Sequence, residues 1–330
     1  TCLLRDHLNR YESMEEYARA KANIFVNQTK DDYLILNYDN QWTKFFLKLR
    51  PKSQVYFVSL KPLPRNLKGA FVKNNKLIIK DRSEFNILNI KKFKEIYGEH
   101  NVYNLLFAVL EVYLFLKDRG LNLKEFEKYL QNQIFKLKTP PFRQEIIYKS
   151  KNLTIINDSA ATTPDATIAA IRRFYNNRRL TQTERRLTQN KSGLIQNLVL
   201  ITGGTDKNLD FKELAKEIKE KIKPENLFLL NGSATKKLIE ELKKLKYPLK
   251  EENIFEDLRK IVFRVLNKYK SYFNIHDNLR LSVDEKDIRV YPRESVVVLF
   301  SPASASFEKF KNEFDRGKKF NKYVRQFCQV

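Results

Sequence analysis

Across 330 residues, a hydrophobic content of 42% with only 8 glycines and 10 prolines supplies apolar material for two cores and excludes wholesale disorder. Two cysteines at opposite ends, Cys2 and Cys328, and three scattered histidines exclude a disulfide framework, a Cys-rich zinc site and a pure His metal cage, and fit a reducing, cytoplasmic setting. The net charge of +24 is spread along the whole length without a basic-aromatic RNA-binding signature, so lysine reads as the default surface residue, with no nucleic-acid partner and with room for small anionic substrates.

Residues 1 to 138 read as one unit. "SMEEYARAKANIF" opens with a capping box, Ser13 and Glu16, and continues as a helix. "DYLILNYDN" and "QVYFVSL" read as strands, and "AFVKNNKLIIK" as a hairpin turning at Asn74-Asn75. The longest apolar run, Leu105 to Leu116, is too short to span a bilayer and carries Glu111. It reads as a buried core helix closed by Gly120, and no membrane insertion is expected. No signal peptide is visible, and a start at Thr1 suggests further sequence upstream. "KTPPFRQE", with its two prolines, reads as a linker.

From residue 139 to 330 the pattern alternates. "LTIIND", "LVLITGG", "NLFLLNG" and "SVVVLFSPASAS" read as strands. Between them lie the helical patterns "DATIAAIRRFYNN", "DFKELAKEIKEKI", "SATKKLIEELKKLK" and "IFEDLRKIVFRVLNKYKSYF", and "FEKFKNEFDRGKKFNKYVRQF" closes the chain. Short apolar strands between helices predict an α/β fold with a mostly parallel sheet. Two stretches break the rhythm: a tandem duplication at 178–189, read as a polar surface loop, and a long connection at 274–291.

In an open parallel sheet, ligands bind beyond the carboxyl ends of the strands. Those ends carry Asp158 and Ser159; Gly203, Gly204, Asp206 and Lys207; Gly232; and Ser301, Ser304 and Ser306. Glycine and serine admit close backbone approach, and Lys207 offers a cation to an anionic group. Each has a plainer reading alone, Gly203-Gly204 as a turn and Ser306 as an N-cap of the last helix. In "NDSAATTPDATIAAIRRF", Thr163, Pro164 and Asp165 explain the helix start but leave Asp158 to Thr162 unexplained. Neither G-x-G-x-x-G nor G-x-x-x-x-G-K-[ST] occurs, so the usual phosphate cradles are missing from these residues.

"DHLNRYESMEEYARAKANIF", "GEHNVYN", "NDSAATTPDAT", "GGTDKNLDF" and "SPASASFEKFKNEFDRG", in this order, resemble the Mur ligases, and the last is similar to their D-glutamate-adding branch. The resemblance implies the later part of a central ATPase domain over 1–138, then a Rossmann-like, amino-acid-binding C-terminal domain over 139–330. It implies an ATP- and Mg2+-dependent ligase of cytoplasmic peptidoglycan-precursor synthesis. In that reaction ATP phosphorylates UDP-N-acetylmuramoyl-L-alanine and the amine of D-glutamate attacks the acyl phosphate. The chain would be an N-terminally truncated, monomeric piece, inactive alone. The alternative is an inactive remnant or polyanion-binding module retaining the fold.

The resemblance also assigns roles. His7 is matched to a magnesium-ligating histidine, against a helix-capping or core histidine. Lys21 is matched to a lysine that becomes carbamylated and faces Mg2+, against an ordinary exposed helix lysine. Asn101 and Asn104 would face the adenine, Arg143 the ribose and phosphates, and Asp158 the ribose. Thr162, Lys207 and Ser306 would hold D-glutamate. Three positions depart from the family pattern. Phe142 stands where relatives often carry His, Ala160 where many carry Lys, and Glu313 where a Phe often lies.

Overall fold

The computed structural model describes residues 3–6, 8, 10–120, 123–150, 152–176, 197–273 and 296–328; His7, the duplication at 178–189 and the extension at 274–291 lie outside the described residues. The chain divides into two compact units, Thr1–Leu137 and Lys138–Val330.

The first unit is built on a mixed sheet. Strands β1 (Tyr33–Asn37), β2 (Gln54–Ser59), β3 (Gly69–Lys73), β4 (Lys76–Lys80) and β5 (Glu84–Asn89) lie side by side in chain order. The first three are parallel, and β4 runs antiparallel to both its neighbours. The β3–β4 turn is tight because Asn74 and Asn75 adopt left-handed φ of 51° and 58°, which asparagine tolerates. Strand alternation then deals side chains to two faces. Tyr56, Val58, Ala70, Val72, Leu77 and Ile79 pack with residues of α3 (Lys91–Tyr97) and α4 (His100–Asp118). Leu34, Leu36, Phe57, Phe71 and Ile78 pack with Phe25 and with Ala22 of α1 (Met14–Ala22).

Two expectations change here. Ser13 Oγ does accept the Glu16 N–H at 3.1 Å, but the Glu16 carboxylate reaches back to the Glu12 N–H at 2.7 Å, so only half the capping box forms. In α4, Val102, Leu106, Val109, Leu110, Tyr113 and Leu114 are buried, while Val112 and Phe115 are exposed. The apolar run is a one-sided stripe, not a helix buried all round. Helices α2 (Thr43–Lys48) and α5 (Leu123–Gln133) complete the unit.

Just past β4, the Asp81 side chain is 3% exposed and pairs with Lys117 at 2.7 Å and Lys68 at 3.1 Å. The Tyr56 hydroxyl donates to it at 3.2 Å. Burial works to raise this carboxyl, but the hydrogen bonds and charges of Lys117 and Lys68 outweigh it and hold Asp81 below the usual carboxylate range.

The second unit has a six-stranded sheet in the order β10-β9-β8-β11-β7-β6. Edge strand β6 (Glu145–Lys149) is antiparallel to β7 (Leu153–Asn157). The others, β8 (Asn197–Thr202), β9 (Leu227–Leu230), β10 (Ile254–Phe255) and β11 (Val296–Phe300), run parallel to β7. Helices α6 (Pro164–Asn176), α7 (Lys212–Lys221) and α8 (Ser233–Lys244) contribute to the core on one face. On the other face lie α9 (Leu258–Lys268) and α10 (Glu313–Cys328). Buried on both faces, β11 reads as the unbroken apolar run "VVVLF". It sits between β7 and β8, which places the topological switch at the carboxyl ends of those three strands.

Helix boundaries differ from expectation at two places. Ile254 and Phe255 pair with Leu229 and Leu230, so the expected helix at 254–273 starts only after Asp257, whose side chain caps the Lys260 N–H at 3.1 Å. The last helix begins at Glu313 rather than Phe307, because the segment before it is bonded to neighbouring loops. Ser306 therefore does not cap it.

Candidate functional site

Sheet topology brings four segments to one edge of the second unit: those after β7, β8, β9 and β11. Gly203 and Gly204 turn the chain with φ of 107° and 136°, which only glycine adopts readily. A Cβ on Gly204 would lie 2.7 Å from Ser304 Oγ, and one on Gly203 would collide with the Leu230 carbonyl. The space is used for bonding. Gly203 N–H donates to the Pro302 carbonyl at 2.9 Å, and Ser304 Oγ donates to the Gly203 carbonyl at 2.9 Å. Thr205 and Ala305 exchange both backbone hydrogen bonds, at 3.2 and 3.0 Å. The β8 and β11 segments are thus zipped together.

Three of the residues expected to hold an amino acid sit on these segments. Lys207 is buried, and its Nζ donates to Thr162 Oγ1 at 3.4 Å. Ser306 directly follows the Ala305 bridge; it is 3% exposed and its hydroxyl makes no hydrogen bond. Buried hydroxyls are nearly always bonded, so a partnerless one on a segment bridged to that of a buried lysine suits an incoming carboxylate.

Asp158 is placed differently from expectation. It is buried, and its carboxylate faces into the protein, accepting the Gln144 N–H at 3.0 Å and the Ser301 hydroxyl at 2.7 Å. The Ser301 hydroxyl lies 2.8 Å from that of Thr167. Burial pushes the Asp158 carboxyl up to about 7, against the opposing pull of Ser301, the Gln144 N–H, Arg173 and Arg143. What Asp158 holds is the turn bearing Arg143. Phe142 and Gln144 flank that arginine with left-handed φ of 62° and 51°, conformations that need external support in such residues. The support comes from Asp158, from the Glu145 carboxylate on the Phe142 N–H at 3.0 Å, and from the Ala160 N–H on the Phe142 carbonyl at 2.9 Å. Arg143 itself is exposed.

In the first unit, Asn101 and Asn104 occupy successive turns of α4. Asn104 Nδ2 donates to Asn101 Oδ1 at 2.9 Å, and Asn101 Nδ2 donates to the Tyr97 carbonyl at 2.7 Å. Lys21, in the last turn of α1, is exposed, with Nζ 5.3 Å from the Tyr17 ring centroid. Among the described residues, no group of three His, Cys, Asp or Glu side chains gathers as a metal site. No described helix is long and apolar enough to cross a membrane.

Residues 1–112 match the Mur ligase middle domain. The UDP-N-acetylmuramoylalanine–D-glutamate ligase of Caldanaerobacter subterraneus subsp. tengcongensis is 32% identical over 321 residues, 97% of this chain and 57% of the relative. The ligase of the same name from Borreliella afzelii is 30% identical over 329 residues, 98% of this chain and 58% of the relative. Residues 1–112 thus carry the Mur ligase middle domain, and the chain is similar to Mur ligases over nearly all of its length. It spans less than three fifths of the length of these two curated relatives. Two solved structures share the fold. Mycobacterium tuberculosis folylpolyglutamate synthase, complexed with ADP and AMPPCP, is 12% identical with a TM-score of 0.57, covering 100% of this chain and 63% of that one. MurF from Acinetobacter baumannii is 14% identical with a TM-score of 0.55, covering 98% and 58%.

The Mur ligase fold here depends on a residue that sequence reasoning missed. Arg316 on α10 is fully buried, and its guanidinium joins two of the site segments. It donates to Ser159 Oγ at 3.1 Å and the Ser159 carbonyl at 2.8 Å on one side, and to the carbonyls of Ser304 at 3.1 Å and Ala305 at 2.9 Å on the other. Burial lowers its pKa to about 9, with Glu313 and Asp158 opposing, so it stays protonated at neutral pH. The signal was present: Arg316, Phe320 and Val324 recur every fourth residue along the buried stripe of α10.

Proposed function

We propose that this chain contributes the amino-acid grip and part of the nucleotide site of a cytoplasmic, ATP-dependent ligase that adds D-glutamate to UDP-N-acetylmuramoyl-L-alanine. On this reading residues 1–138 are the later part of the central domain and residues 139–330 the amino-acid-binding C-terminal domain. The observation that carries it is the buried Lys207 ammonium on the Thr162 hydroxyl, with the partnerless Ser306 hydroxyl on the adjoining segment. One cation and two hydroxyls suit the carboxylates of a dicarboxylic amino acid. The names of the curated relatives, UDP-N-acetylmuramoylalanine–D-glutamate ligases, support this choice of substrates.

ATP would supply the phosphoryl group that turns the substrate carboxylate into an acyl phosphate. The residues present fit it in part. Exposed Asn104 leaves its amide oxygen to the edge of a purine, and Arg143 stands out to meet ribose or phosphate oxygens. Asp158 serves the same end by fixing the turn under Arg143. Among the described residues no three-ligand set gathers for Mg2+, and Lys21 lies over the Tyr17 ring; His7 and a carbamylated Lys21 are its proposed ligands, and the ion would offset phosphate charge. Thr162, Lys207 and Ser306 would fix the carboxylates and so aim the amine at the acyl carbon. A C–N bond forms there as the C–O bond to phosphate breaks, and most of the gain is positional.

The test is ADP release by the full-length gene product. Release should require both UDP-N-acetylmuramoyl-L-alanine and D-glutamate, and release independent of D-glutamate would sink the assignment. The 330-residue chain alone, which holds no phosphate-loop motif, should release none.

A further inference from the structure

Ser306 does not hold itself in place, since its hydroxyl is unbonded. What holds it lies on the far side of its loop. Glu308 reaches the N-terminus of α8, where one carboxylate oxygen takes the Ser233 hydroxyl and the other the Ser233 N–H at 3.3 Å. Its own N–H donates to Thr205 Oγ1 at 3.0 Å. Helix α8 has no side-chain cap at Gly232, so Glu308 supplies the missing acceptor and a charge that suits the helix end. Lys309 donates to the Glu256 carbonyl at 2.8 Å and to Glu256 Oε2 at 2.9 Å, and Asn231 steadies the same carboxylate.

These residues, with Gly232 and Lys236, line a cleft of about 320 Å³ beside the ends of β9 and β10. Its carboxylates are answered from within, Glu308 by Ser233 and Glu256 by Lys309, so the cleft is a brace rather than a pocket awaiting a ligand. The span from brace to site is a single turn. The N–H groups of Lys309 and Phe310 both donate to the Ser306 carbonyl, at 3.2 and 2.9 Å.

We propose that Glu308 and Lys309 are positioning residues for Ser306: two charged pegs, one in α8 and one at β10, that set the rim of the amino-acid grip. This rests on the reading above that Thr162, Lys207 and Ser306 hold a dicarboxylic amino acid.

Two measurements on the 330-residue chain test it. In Glu308→Ala and in Lys309→Glu, amide exchange at Thr205, Ala305 and Phe310 should rise about tenfold while the melting temperature stays near that of the parent. Unchanged exchange overturns the brace. In a D-glutamate titration followed by NMR, both variants should bind about fivefold more weakly. Glu256→Lys combined with Lys309→Glu should recover affinity, which a general loss of packing would not allow. Equal binding by parent and variants overturns the positioning role and leaves the functional reading standing. Faster exchange in the variants with no D-glutamate binding by the parent upholds the brace and sinks the functional reading.

Discussion

Asp81 in the first unit and Asp158 in the second are both buried carboxylates, yet they are pushed in opposite directions. Asp81 has two lysines in direct contact, which outweigh burial and hold it ionised. Asp158 has one hydroxyl and one amide N–H, and burial prevails. The difference lies in what each carboxylate is for. Asp81 ties Lys68 and Lys117 across a scaffold, where strong pairing serves best. Asp158 supports a turn beside the candidate site, where a neutral or half-neutral acid can hold the backbone without a competing negative charge.

The largest test of this contrast concerns Arg316, the buried cation that joins the segments after β7 and β11. Arg316→Met should cost the second unit about 3–5 kcal/mol, because the carbonyls of Ser159 and Ser304 lose their guanidinium donor and that of Ala305 keeps only the Thr205 N–H. Urea denaturation checks this, and a loss near zero would mean those carbonyls find other partners. Next comes the pH dependence of Asp158. Its folded pKa is raised to about 7, so the native state holds the proton more tightly than the unfolded chain. Stability should therefore fall as pH climbs from about 4 to about 7, by on the order of 3 kcal/mol, and Asp158→Asn should flatten that slope. Asp81 has the opposite sign: its contribution is present above the unfolded pKa and is lost as pH drops through the folded value. Asp81→Asn should cost about 2 kcal/mol at neutral pH and nearly nothing in acid, read from melting at both pH values. Parallel pH slopes for the two variants would erase the distinction.

Much of the architecture was visible in the sequence. The runs "LTII", "LVLI", "LFLL" and "VVVLF" are buried throughout and, but for Thr154, apolar because both faces are covered, and helical periods separate the first three. Asn74-Asn75 announced its hairpin through the left-handed tolerance of asparagine. The glycines and serines at the strand ends marked the edge where Thr162, Lys207 and Ser306 lie. Other features were hidden for physical reasons. The strand Ile254–Phe255 is too short to show a period and lies just before an amphipathic helix. The residues after Ser306 look helical, but Glu308 and Lys309 bond to other elements instead. Arg316 sits among charged neighbours, and only its spacing to Phe320 and Val324 betrays its burial. The inward aim of Asp158 depends on Gln144 and Ser301, one 14 residues before it and the other 143 after, and no local pattern encodes that.

Gly317 gives the Arg143 turn an unexpected point of control. A Cβ at this position would come within 2.5 Å of the Phe142 ring, so the ring sits in a notch cut into α10. The Phe142 carbonyl and N–H are in turn pinned by Ala160 and Glu145. A single hydrogen at position 317 thus acts as a gauge block. Its small size lets the ring seat against α10, next to the residue that carries the exposed guanidinium. One methyl group there would push on the ring and on the left-handed turn it belongs to, without any change in charge.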